Sequence, residues 1–281
     1  MVDYTRIRED IQRSGLADAT KRSYLSKLRM YERSPSFPHD IEQAVKDVNR
    51  SGKASSEGAY ITFLLGTSRV SKEMKSALGK QLRGLMSRAD VLATKSGDDK
   101  RERRAREGDV SWEELLSCGE HIDDDQERLI FSLYTLLPPQ RSDYGAVQLA
   151  PTRARATDAD TNYYVRREGE LLFNTYKSAS RYGPKTVKVP PDLKKMLNAM
   201  PKEQRYVLQS HDGKPLTPNT LSQKVKRMFA RACGMHVTIN TLRRAWAAQS
   251  MRGNPTEEEV AEAAAALDHS ITTHRAYAFL E

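Results

Sequence analysis

The chain has 281 residues and a formal net charge of +9, enough length for two domains and a surplus of Lys and Arg that favours a polyanionic partner, nucleic acid first. No apolar run approaches the roughly 20 residues that cross a bilayer and no charged-then-apolar leader opens the chain, so an intracellular protein without a membrane partner is expected. Cys118 and Cys233 lie far apart without Cys or His at metal-ligand spacing, and the six His are dispersed, so the expectation is two ordinary thiols with no disulfide, no bound metal and no cofactor.

Residues 4–32 read as helix. Tyr24, Leu25, Leu28 and Tyr31 recur at helical spacing, while Lys21, Arg22, Lys27 and Arg29 fill the other face. Pro35 and Pro38 break the pattern, a short segment follows at Ile41–Val48, Ser51-Gly52 marks a turn, and the apolar run Ala59–Leu65 reads as a core helix. From Ser71 the apolar positions Met74, Leu78, Leu82, Leu85 and Ala89 alternate with Lys72, Lys75, Lys80 and Arg83. Residues 1–95 are therefore expected to form an all-helical domain with basic faces. Residues 96–109 follow, with Arg101, Arg103, Arg104 and Arg106 and no apolar face. They read as a charged linker, and a solvated tether and a segment following a nucleic-acid backbone are equal readings of it.

The second domain, residues 110–281, opens with Ser111-Trp112-Glu113-Glu114, a capping-box pattern. Helices are expected at Ser111–Cys118 and at Asp123–Leu136, the latter with acidic residues at its N-terminal end and Pro138-Pro139 as its stop. The period then changes. Asn162–Val165, Leu171–Thr175 and Thr186–Val189 carry the β-branched and aromatic residues of strands, predicting a small antiparallel sheet. Helical patterns return at Leu193–Ala199, Thr217–Cys233, Thr241–Met251 and Glu257–Ala266. The fold class is mainly α, a helical N-terminal domain followed by a mixed α/β domain.

Four segments of the second domain stand out: Arg141 within Pro138-Pro139-Gln140-Arg141-Ser142-Asp143-Tyr144, Lys177 after the strand ending near Thr175, Asn240-Thr241-Leu242-Arg243-Arg244, and Leu267-Asp268-His269-Ser270 followed by Tyr277. In order and spacing they resemble the tyrosine recombinase (phage integrase) family, with a wording closer to viral or mobile-element members. The resemblance implies a site-specific recombinase in which Tyr277 attacks a backbone phosphate of double-stranded DNA, leaving a 3′-phosphotyrosyl bond and a 5′ hydroxyl that is later rejoined without ATP or metal. It also implies a helical DNA-binding first domain and a homotetramer on two duplexes. Arg141 and Arg243 suit the chemistry, since a permanently charged planar fork can meet the charge that grows on the phosphate oxygens. Tyr277 needs such charges, because a phenol with a pKa of about 10 is a weak nucleophile at neutral pH. On the resemblance, His269 donates to phosphate or assists the tyrosine, and Lys177 is the general acid for the departing 5′ oxygen, with Lys185 and Lys188 as nearby competitors.

The sequence departs from the family pattern in several places. Asn240 stands where histidine is usual and can hydrogen-bond but not carry charge; His236 just upstream is a candidate substitute, read as structural. Asp268 replaces a glycine, His269 and Tyr277 are one residue closer than usual, and the acidic residue follows Arg141 by two. Two rival readings remain: a type IB topoisomerase, which uses a similar residue set, and a catalytically decayed DNA-binding protein of the same fold. Retention of Arg141, Lys177, Arg243, His269 and Tyr277 counts against decay.

Overall fold

A computed structural model describes residues 2–49, 51, 54–107 and 110–278, with the side chains of residues 54–55 and 96–107 outside the description. The chain divides into two compact units, Met1–Glu107 and Gly108–Glu281.

Among its described residues the regular elements of the first unit are all helices: α1 (Tyr4–Arg13), α2 (Asp18–Glu32), α3 (Ile41–Val48), α4 (Ala54–Val70), α5 (Lys72–Leu78) and α6 (Gln81–Glu107). Helix starts are set by short polar side chains: Asp3, Asp40 and Ser71 each accept from the backbone N–H three residues on. The apolar stripes meet in one core that includes Ile7, Ile11, Leu28, Tyr31, Phe63 and Met74, with the Tyr31 and Phe63 rings stacked at 5.5 Å. The run expected to continue from Ser71 to Ala89 breaks at Gly79, whose φ of +46° lies in the left-handed region that glycine enters without penalty. Lys72, Lys75, Lys80 and Arg83 are exposed, as their positions between the apolar residues require. Helix α6 keeps its helical backbone through the arginine-rich segment read as a linker; the side chains of Arg101, Arg103, Arg104 and Arg106 lie outside the described residues.

In the second unit α7 (Trp112–Ser117) begins with the expected capping box, a helical turn follows at Cys118–His121, and α8 (Asp125–Thr135) leads to Pro138-Pro139. The three expected strands form an antiparallel meander, β2 (Tyr163–Val165), β3 (Glu170–Phe173) and β4 (Lys185–Lys188). A fourth, β1 (Gln148–Ala150), pairs parallel with β2, so the sheet is mixed rather than purely antiparallel. Gln148, Leu149 and Ala150 include none of the aromatic or β-branched residues that mark β2, which is why β1 is not visible in the sequence. Between β3 and β4 lies the single turn α9 (Ala179–Tyr182), and α10 (Pro191–Ala199), α11 (Pro218–Cys233), α12 (Ile239–Ser250), α13 (Glu257–Ala266) and α14 (Ile271–Ala278) complete the unit. Its main core gathers Tyr134, Tyr144, Tyr164, Phe173, Leu193, Val225, Phe229 and Leu242.

The expectation of two separate thiols is corrected. Cys118 and Cys233 are joined in a disulfide with Cα atoms 5.5 Å apart across 115 residues of sequence. The turn after α7 packs on α11 and brings the two together. Cysteine spacing reports local ligand patterns, and a pairing made by tertiary contact leaves no mark in it.

Candidate active site

Arg243 occupies the centre of the site. It lies on the core face of α12 beside Leu242 and Ala245 and is 1 % exposed. A buried guanidinium is costly unless its donors are taken up. Here Nη1 donates to the Pro139 carbonyl at 2.5 Å and Nη2 to the Leu267 carbonyl at 2.7 Å. The second acceptor caps the C-terminal end of α13, where carbonyls left without an intrahelical partner carry the negative end of the helix dipole. Pro139 belongs to the proline stop after α8, so one guanidinium ties three separated segments together.

Nη2 of Arg243 also lies 2.7 Å from His269 Nε2. A guanidinium has only donors, so Nε2 accepts, the imidazole is neutral and its proton sits on Nδ1. That Nδ1 is buried and has no partner in the protein. Burial, followed by the charges of Arg243 and Arg141, pulls the His269 pKa down to about 4. The ring therefore offers an N–H at neutral pH without carrying charge.

The aromatic ring of Tyr277 lies 4.5 Å from that of His269, centroid to centroid. Helix α14 is held by His274, one turn earlier, which is fully buried, 2.9 Å from Ser250 Oγ on α12 and edge-on to Trp246.

Arg141 is positioned through its backbone: its carbonyl accepts from the buried Tyr134 hydroxyl at 2.6 Å, and Tyr134 packs edge-on against Tyr144. The adjoining turn at Asp143–Ala146 is pressed against Leu216, where a Cβ on Gly145 would fall 2.4 Å from the Leu216 carbonyl oxygen, so only glycine fits. Nη1 of Arg141 stands 3.8 Å from Asp268 Oδ2. Asp268 directly follows the end of α13 and adopts φ +54°, a conformation that Asp tolerates better than most residues.

Lys185, the first residue of β4, enters the same cluster. Its Nζ donates to Gln140 Oε1 at 2.7 Å and to Asp268 Oδ1 at 2.6 Å, and it lies 4.7 Å from the centre of the Tyr176 ring. Strand alternation explains this. Val187 packs on the core, so Lys185 two residues earlier shares its face, whereas Thr186 and Lys188 are exposed. Gln140 is nearly buried and its Nε2 donates to the carbonyls of Pro138 and Ala266. Asp143 is the second carboxyl of the cluster. Burial raises its pKa while Arg141 and Lys185 oppose the rise.

Of the six residues singled out in the sequence, the structure gathers Arg141, Arg243, His269 and Tyr277. Asn240 is exposed in the first turn of α12, and Lys177 is exposed in the turn between β3 and α9. Neither shares a hydrogen bond or ion pair with the cluster among the described residues. His236 is exposed in the irregular segment before α12. Gln140 and Asp143, which sequence reasoning gave no role, flank Arg141 in its own motif; Lys185 had a signal in the alternation of β4.

No protein-family model and no curated protein matches the sequence. Among solved structures, a lambda integrase dimer bound to a COC' core site is similar over 98 % of this chain and 75 % of that one, with a TM-score of 0.59 and 18 % identity. The Tn1549 transposon integrase in complex with a circular intermediate DNA is similar over 99 % and 95 %, with a TM-score of 0.56 and 10 % identity. The chain has the tyrosine recombinase fold. The tyrosine recombinase fold class expected from the sequence, mainly α with a small sheet in the second part, is thus the one found. At this identity the likeness is one of backbone, and the role of each residue in this tyrosine recombinase fold rests on the chain's own geometry.

Proposed function

We propose that the protein is a site-specific recombinase that cleaves and rejoins double-stranded DNA through a 3′-phosphotyrosyl bond to Tyr277. The observation that carries this reading is the convergence of two guanidinium groups, an ammonium group and a neutral imidazole N–H, from four separated segments, beside one half-buried tyrosine. Such a set matches a phosphodiester whose oxygens gain charge in the transition state, because fixed donors stabilise that charge without reorganising. Lambda integrase bound to DNA and, in another structure, a lambda integrase tetramer bound to a Holliday junction share the fold. They support duplex DNA as the substrate and a tetramer as the working assembly.

On this reading Arg141, Arg243 and the Nδ1–H of His269 hold the non-bridging oxygens. The Tyr277 oxygen attacks phosphorus as the phenol gives up its proton to water, and the bond from phosphorus to the 5′ oxygen breaks. That oxygen takes a proton from Lys185, which faces the cluster, rather than from Lys177, which stands outside it. Attack of a 5′ hydroxyl on the phosphotyrosine reverses the step, and since one phosphodiester replaces another no nucleotide triphosphate is required.

Covalent trapping tests the proposal. Incubated with nicked or supercoiled DNA and denatured in detergent, wild type is expected to give a DNA-linked band that persists with a chelator present and vanishes in Tyr277→Phe. No band from wild type on any of these substrates would sink the reading. Relaxation of a plasmid irrespective of its sequence would reassign the chemistry to a topoisomerase.

A further inference from the structure

Asp268 is a buried carboxylate at the heart of a site meant for an anion. Its side chain is 3 % exposed, its Oδ1 is 2.6 Å from Lys185 Nζ, and its Oδ2 is buried without a hydrogen-bond partner, 3.8 Å from Arg141 Nη1. Burying a carboxylate with one oxygen unfilled is costly, and the backbone adds the strain of a left-handed φ at a non-glycine residue. The cations beside it are more open, with side chains 28 % exposed at Arg141 and 21 % at Lys185. The carboxylate therefore lies beneath the cluster, where it supports the cations while leaving their outer faces available to DNA.

We propose that Asp268 is a positioning residue for Lys185, holding its ammonium charged and aimed so that it can protonate the departing 5′ oxygen. The inference rests on the recombinase reading above. Lys185 is otherwise poorly placed to keep a charge. Phe173 and Tyr176 from the β3 side cover it, Arg243 from α12 repels it, and from the loop after α8 Gln140 offers only a neutral oxygen. Among the described residues Asp143 is the other acidic group facing it, and burial favours the protonated form of that carboxyl. Burial lowers the Lys185 pKa, and the contact with Asp268 is the largest influence raising it. A general acid without its proton is useless to a leaving alkoxide, so the carboxylate acts on the reaction through the lysine.

The experiment compares wild type, Asp268→Asn and Lys185→Ala on two DNAs, one natural and one carrying sulfur in place of the scissile 5′ oxygen, whose thiolate leaves without needing a proton. With natural DNA, Asp268→Asn should move the alkaline limb of covalent-adduct formation to lower pH by about 1–3 units, the influence of a close opposite charge. With the sulfur-bearing DNA, all three proteins should form the adduct at similar rates. Equal slowing of Asp268→Asn on both DNAs, or an unchanged pH profile, would overturn the proposal, as would a defect rescued by sulfur in Lys177→Ala and not in Lys185→Ala. Asp268→Gly, free of strain at this φ, serves as the second variant should Asp268→Asn misfold. The Lys185 titration followed by NMR in DNA-free protein should show the same downward displacement in either variant. That readout decides the pairing even when wild type forms no adduct, the outcome that defeats the recombinase reading instead.

Discussion

The Arg243 guanidinium is enclosed by the carbonyls of Pro139 and Leu267 and by His269 Nε2, so its loss should be felt in stability as well as catalysis. Arg243→Ala strands the two buried carbonyls and His269 Nε2, at about 1–3 kcal/mol each, and removes a fixed donor whose absence costs on the order of hundreds-fold in rate. Arg243→Lys keeps the charge but cannot span three acceptors with a planar fork, so it should regain part of the stability and little of the cleavage. Urea unfolding alongside adduct formation separates the two effects. The neutral His269 ring makes a second prediction. Unfolded, the imidazole titrates near 6.5; folded, burial and the neighbouring arginines bring it to about 4. Between those values the unfolded chain binds a proton that the folded chain does not, so the stability this ring contributes is complete above about pH 6.5 and lost as pH falls toward 4. His274, also lowered by burial, acts in the same direction. Thermal unfolding across this window should show a shallower acid decline in His269→Gln than in wild type; identical slopes would mean that the ring is not held neutral.

At the level of elements, the Cys118–Cys233 bond closes a loop of 115 residues that contains α8, the sheet, α10 and α11. Reduction, or Cys233→Ser, should lower stability by about 2–4 kcal/mol, read as a lower urea midpoint that reoxidation restores only in the wild type. Much of the architecture around this loop was legible, because amphipathic helices and alternating strands write their periods into the sequence: α2, α8, α11 and the β2–β4 meander all lie where their patterns place them. The remainder depended on contacts that no local pattern encodes. Strand β1 carries no aromatic or β-branched residue, the disulfide pairs distant segments, and α5 and α6 are parted at Gly79, which takes a positive φ. The site was legible to the same extent. Arg141, Arg243, His269 and Tyr277 were readable from motif spacing. The sequence points to Lys177 because that residue closes a strand, whereas the alternation Lys185-Thr186-Val187-Lys188 turns Lys185 toward Gln140 and Asp268. Asp268 was visible only as an unusual residue at a turn, and its partner across the fold was not.

For the whole molecule, two units with separate cores divide the chain, and every residue proposed for the chemistry belongs to the second. Helix α14 carries His274 and Tyr277 one turn apart on one face. His274 is sealed against Ser250 and Trp246 of α12, the helix that also bears Arg243. The anchor fixes how α14 is rotated, and with it the tyrosine, against the guanidinium and imidazole of the same chain. Each subunit would then own a complete set of reactive groups and borrow none. Mixed assemblies of Tyr277→Phe and Arg243→Lys subunits should therefore stay inactive, because neither defect can be made good by a neighbour, while activity regained on mixing would mean that the tyrosine crosses from one subunit to the next.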